Sequence, residues 1–146
     1  MKIAAVVIRT LIQWTWGILQ NIAGLAVFLV NIRRKHYIYK GCIVTEWGSR
    51  DMSMGLGMFI FLGQSSINDE DVRAHEFGHT IQSMILGPFF VFVIAFPSLF
   101  WANSRRMEKY RGQKGVDYYR FYPERWANHL AVRKLGRCPG KDSGRA

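Results

Sequence analysis

At 146 residues the chain has room for one core and one domain. Hydrophobic residues make up 49% and aromatics 14%, beside a net charge of +10. Apolar and basic together argue for a membrane neighbour and against a nucleic-acid reader, because the charge is not spread along a helix of spaced base-contacting side chains. It collects after the two longest uncharged stretches, as Arg33-Arg34-Lys35 and as Arg105-Arg106 with Lys109 and Arg111. Anionic lipid at a cytoplasmic surface would attract it there. The plainer alternative is a set of solvated loops whose basicity aids solubility. Cys42 and Cys138 fit no zinc spacing and no framework of bridges, and read as free thiols of a reducing compartment.

Residues 10–32 carry no charged side chain. As one helix they would run about 34 Å, enough to cross a hydrocarbon core. Trp14 and Trp16 near one end and the basic triplet at the other fit interfacial anchoring. Gln13, Gly17, Gln20 and Gly24 fall on one helical stripe, which predicts one protein-facing and one lipid-facing side. A buried core helix is the alternative. Arg9 interrupts the early apolar run and no small-x-small site follows the later one, so the stretch does not read as a cleavable signal.

The period then changes. Residues 37–47 are β-branched and aromatic, with Lys40-Gly41 placed as a hairpin turn and Gly48–Asp51 as a second turn. The glycine-bounded run 57–63 reads as a third strand. A small antiparallel sheet is therefore expected, with a strand available to pair with an extended peptide.

His75-Glu76-Phe77-Gly78-His79 reads H-E-x-x-H. Residues four apart share a helix face, so both imidazoles can reach one zinc ion while Glu76 faces an activated water. Two histidines and a third protein ligand leave a fourth position open, and zinc so held lowers the pKa of its water to about 7. The alternative is a pair of helix histidines satisfied by backbone or solvent. Asn68 can cap this helix, Asp69, Glu70 and Asp71 suit its first turn, and Gly87-Pro88 ends it, giving a helix over 69–86.

Residues 81–104 are again uncharged, with Pro88 and Pro97 inside them. One crossing would separate the histidines from any ligand further along, and two crossings need roughly 40 helical residues. The stretch is expected to be re-entrant or monotopic, or a lid packed over the site.

After a tyrosine-rich connection, Pro123-Glu124-Arg125-Trp126-Ala127-Asn128 opens a helix near 123–135. Glu124 is the favoured third ligand, with Asp117, Glu108 and His129 still open. Tyr118, Tyr119, Tyr122 and His129 are unranked donors for an oxyanion.

With both motifs quoted, the chain resembles the gluzincins, metallopeptidases whose third ligand is a glutamate on a later helix. The pattern is similar to the integral-membrane CAAX-prenyl-protease and heat-shock-protease branch, in which E-x-x-A-D follows H-E-x-x-H. The resemblance implies His75, His79 and Glu124 as ligands, Glu76 as general base, and Asn128, where that family has aspartate, as the group orienting a histidine. A neutral amide raises ligand basicity less than a carboxylate does. His79-Thr-Ile-Gln-Ser with Gly87-Pro and Pro97-Ser also resembles small uncharacterised bacterial metallopeptidases, including domains carried by polymorphic toxins.

The expectation is a single α+β, zincin-like domain. Residues 10–32 would be a transmembrane helix, 37–136 the catalytic region and 137–146 a flexible tail. It would be a Zn2+-dependent endopeptidase acting on peptide or protein at a membrane, with lipid and not nucleic acid as its other partner. The bacterial inner membrane, with the site facing the cytoplasm, is the expected location. Its rivals are a non-catalytic, zinc-stabilised membrane protein, a toxin-like peptidase domain, and a basic surface-binding module in which the motif is accidental.

Overall fold

The computed structural model describes residues 3–48 and 51–136. The turn expected at Gly48–Asp51 lies partly outside the described residues, and the tail 137–146 with Cys138 wholly outside them. The fold is α+β, as expected.

The apolar N-terminal stretch is not one helix but two, α1 (Ile3–Thr15) and α2 (Ile18–Val30), bent by 96° at their junction. Gly17 at the break is a poor helix former. The side-chain amide of Asn21 donates to the Gln13 carbonyl, and the backbone N–H groups of Trp16 and Gly17 both turn to Ile12. The break is thus satisfied internally. Among the described residues no single helix is long and apolar enough to cross a membrane, and the one continuous helix expected over 10–32 is instead this bent pair. The stripe was legible: Gln13, Gly17, Gln20 and Gly24 are all buried against protein.

Strands β1 (His36–Tyr39) and β2 (Cys42–Glu46) form the expected hairpin. Lys40 and Gly41 both take positive φ, 51° and 81°, as a two-residue turn of the primed type requires. The expected third strand is β4 (Phe59–Leu62), preceded by an unforeseen short strand, β3 (Met54–Leu56). The sheet order is β1-β2-β4-β3, and β2 pairs with β4 in parallel. The sheet is therefore mixed rather than antiparallel, because β4 inserts between the hairpin and β3 and leaves β3 on the edge.

Alternate residues of β4 face opposite ways. Ile60 and Leu62, with Cys42 and Val44, pack on Phe77 of α3 (Glu70–Leu86). Phe59 turns to the other face, against Phe28 and Gly24 of α2. The cap of α3 is Asp69 rather than Asn68: its carboxylate accepts from the N–H groups of Asp71 and Val72. Gly87 ends the helix as expected.

A short turn and a π-helical stretch, Val91–Ala95, lead into α4 (Phe96–Asn103), and the chain bends by 119° on the way. It continues through α5 (Arg105–Lys114) to α6 (Tyr122–Leu135), which lies along α3 with Ala131 against Ala74. The chain thus doubles back after residues 81–104, so that α6 meets α3.

Candidate metal centre

His75 and His79 sit one turn apart on α3 and point at the first turn of α6, where Glu124 stands. The Nε2 atoms of the two histidines are 3.2 Å apart. The Oε2 atom of Glu124 lies 3.0 Å from His75 Nε2 and 3.5 Å from His79 Nε2. All three residues are buried. Among the described residues this is the one group of histidine, cysteine and acidic side chains arranged to hold a metal ion.

Each imidazole is fixed from behind. His75 Nδ1 is 2.7 Å from Asn128 Oδ1, and His79 Nδ1 is 2.7 Å from Gln82 Oε1. An amide oxygen only accepts, so both Nδ1 atoms carry a proton, and a ring that is neutral then turns an Nε2 lone pair inward. Gln82 is oriented in turn, because its Nε2 donates to the Pro123 carbonyl at 2.8 Å. The hydroxyl of Ser98 on α4 donates to the other carboxylate oxygen of Glu124 at 2.6 Å.

With both rings neutral, three acceptors would converge on one point, and a cation there, a metal ion or a proton, satisfies them. The charges reflect this demand. Burial alone would raise Glu124, yet the hydrogen bonds from His75 and His79 hold its carboxyl far below the usual range. Burial would lower His79, yet the Glu124 carboxylate lifts it to about 9. Without a metal the triangle keeps a proton. Bonds of about 2.0–2.1 Å in a tetrahedral zinc site put ligand atoms about 3.3 Å apart. The observed gaps of 3.0, 3.2 and 3.5 Å fit that edge length.

Glu76 is buried one position after His75, and its Oε2 has no hydrogen-bond partner. Burial pushes its carboxyl up, opposed by the neighbouring histidines and by the Gly55 N–H. Gly55 lies on β3, so close to α3 that a Cβ there would come 2.5 Å from the Glu76 carbonyl oxygen. Glycine at 55 is what lets the edge strand lie against the motif helix. Together β3, α3, α4 and the connection before α6 enclose a cleft of about 600 Å³.

Tyr118 and Tyr119 line that cleft, and burial together with the carboxylates of Glu76 and Glu124 pushes both phenols well up, so they stay protonated donors. The other two expected donors lie elsewhere. The Tyr122 hydroxyl is spent on the Val93 carbonyl at 2.6 Å, and His129 is exposed on α6 away from the cleft. The alternative ligands are likewise not gathered: Glu108 is exposed on α5, and Asp117 is exposed, its carboxylate accepting from the Tyr119 N–H.

Gln82 and Ser98 stand in the stretches quoted for the bacterial resemblance, but the sequence assigned neither a role. Gln82 had a usable signal, since it stands three residues after His79 on the same helical face. The role of Ser98 depends on the fold-back of α4, which no local pattern shows. No protein-family model matches the chain, and no curated protein or solved structure matches it at a significant level.

Proposed function

We propose that the protein is a zinc-dependent metallopeptidase with His75, His79 and Glu124 as metal ligands and Glu76 as general base. The observation that carries the reading is the buried triangle of two imidazole Nε2 atoms and one carboxylate oxygen, beside a buried carboxylate oxygen with no partner. The donor set, two imidazoles and a carboxylate, is that of hydrolytic zinc sites, which keep an open position; sites that serve folding alone are closed by four protein ligands. Here three protein ligands face a cleft, which favours hydrolysis over a purely structural metal.

Zinc bound there would act as a Lewis acid that lowers the pKa of a water to about 7. The chain supplies the rest. Glu76 takes the proton of the attacking water and returns it to the leaving amine. Burial raises its basicity, as a general base working near neutrality needs. Tyr118 and Tyr119 remain hydroxyl donors able to face a developing oxyanion. The outer edge of β3, which lines the cleft, would offer main-chain groups to an extended peptide and hold a carbonyl near Glu76.

The test is Glu76→Gln beside the wild type, with zinc measured by elemental analysis and cleavage read on a quenched fluorescent peptide library. One zinc per chain in both proteins, with turnover lost by about 10²–10⁴ in the variant, is expected. Unchanged cleavage would remove Glu76 from the mechanism. Absence of zinc from the folded wild type after loading would remove the metal itself.

A further inference from the structure

The helices α1 and α2 are amphipathic the wrong way round for water. Among the described residues their buried positions are Arg9, Gln13, Gly17, Gln20, Asn21 and Gly24, every one polar or glycine. Arg9 donates to Thr80 and to the Lys40 carbonyl, Gln13 to the Thr80 carbonyl, and Gln20 to Ser83 and the Gly87 carbonyl. Asn21 accepts from the Met58 N–H. The large apolar side chains point the other way: Ile8, Leu11, Leu19, Ile22 and Leu29 are more than half exposed or close to it, and Val30 is 86% exposed.

The segment around α4 is apolar on both its inner and its outer side. Phe90, Ile94 and Ser98 face the cleft, while Phe92 is 72% and Phe96 is 70% exposed, beside Phe89 and Phe100. The two apolar faces adjoin where the Trp16 ring closes over Gly87. In water the hydrophobic effect would drive the reverse arrangement, and an apolar patch of this extent marks a contact with another phase or partner.

The charge says which. Neither residues 3–45 nor residues 77–107 contain an acidic side chain. The exposed Arg33, Arg34 and Lys35 follow α2, and the exposed Arg105, Arg106 and Lys109 follow α4. Apolar side chains rimmed by cations match acyl chains beneath anionic headgroups. Both helical pairs bend sharply, by 96° and 119°, and the second brings Glu124 back to the histidines it follows.

We propose that the outer faces of α1, α2 and the 85–100 segment form one continuous surface that seats the protein in a single leaflet of an anionic bilayer, lying in the plane of the membrane without crossing it. This stands apart from the metallopeptidase reading. It needs only the inverted burial of α1 and α2, the adjoining face of α4 and the two basic rims.

The experiment uses the full chain, exchanged from detergent onto sealed vesicles of phosphatidylcholine with or without phosphatidylglycerol. Flotation measures binding, and protease access to a tag at each terminus measures topology. Strong flotation with the anionic lipid, at least tenfold weaker without it, and both tags on the outer side are expected. The pairs Leu19→Glu/Ile22→Glu and Phe92→Glu/Phe96→Glu alter exposed side chains; each should keep the wild-type circular dichroism spectrum and lose flotation at least tenfold. A tag protected inside the vesicle would show crossing and overturn the in-plane seat. Equal flotation of folded variants and wild type would overturn the surface. A stable lipid-free dimer that the same substitutions dissociate would assign the surface to a second copy and overturn the lipid.

Discussion

Gly78 on α3 and Ala127 on α6 meet backbone to backbone: a Cβ at 78 would drive into the Ala127 carbonyl group. This contact lies between the two motifs, one position before His79 and three after Glu124. It sets how near α6 comes to α3, and so how far Glu124 stands from the imidazoles. Gly78→Ala should force the helices apart. Overpacking of this kind costs about 1–3 kcal/mol, and zinc affinity should fall together with thermal stability. Thermal melts and a chelator competition read both. A destabilised variant with unchanged zinc affinity would show that the contact packs the core without setting the triangle.

Asn128 tests how the site is tuned. Its amide oxygen accepts a hydrogen bond from His75 Nδ1–H at 2.7 Å. Asn128→Ala should lose that hold and cost about 10–100-fold in zinc affinity, the usual range for a partner behind a ligand. Asn128→Asp places a carboxylate on the same hydrogen and should tighten zinc binding, because the imidazole becomes more basic. Competition with a chromophoric chelator measures both, and weaker binding in the aspartate variant would contradict the argument.

Gln82 joins the two site helices through one amide, accepting from His79 and donating to the Pro123 carbonyl. Gln82→Met keeps much of the volume and removes both bonds, leaving a buried carbonyl and a buried ring N–H without partners. Each such loss costs about 1–3 kcal/mol. Denaturant midpoints should drop, and zinc affinity should drop further than for an apolar substitution remote from the cleft.

The pH dependence of stability should carry a signature of Cys42. Burial pushes this thiol up, against the opposing pull of Arg9. In the unfolded chain it titrates near about 8.5. Above that pH the unfolded chain gives up a proton that the folded protein keeps, so unfolding is favoured. The contribution is complete below about 8.5 and is lost as the pH rises towards the folded value. Urea midpoints at neutral and alkaline pH should therefore fall more for the wild type than for Cys42→Ala, and equal falls would exclude the thiol.

What could be read in advance was local. Lys40-Gly41 announced a turn, Gly87-Pro88 a helix end, and the spacing of His75 and His79 a shared helical face. The Gln13–Gly24 stripe gave the buried side of the first two helices by periodicity alone. What escaped depended on distant partners. Gly17 reads the same inside a packed helix as at a break, and only the Asn21 amide on the Gln13 carbonyl separates the two. Met54–Leu56 is too short to show a period, and its place on the edge follows from β4 pairing in parallel with β2. Glu124 could be named from its own motif, but Ser98 behind it could not, since the 119° bend that brings it there follows from no single residue type.

Arg9 adds a constraint on the order of events. Its guanidinium lies on the Phe77 ring and donates to Lys40, Cys42 and Thr80, residues 31, 33 and 71 positions further along. None of these acceptors is in place until the β1–β2 hairpin and α3 have formed. An arginine left in an apolar setting without them is costly, so α1 has no stable seat before that point. During synthesis α1 is made before the hairpin and α3 yet docks only after them, and it waits with its charge in water while they assemble its berth.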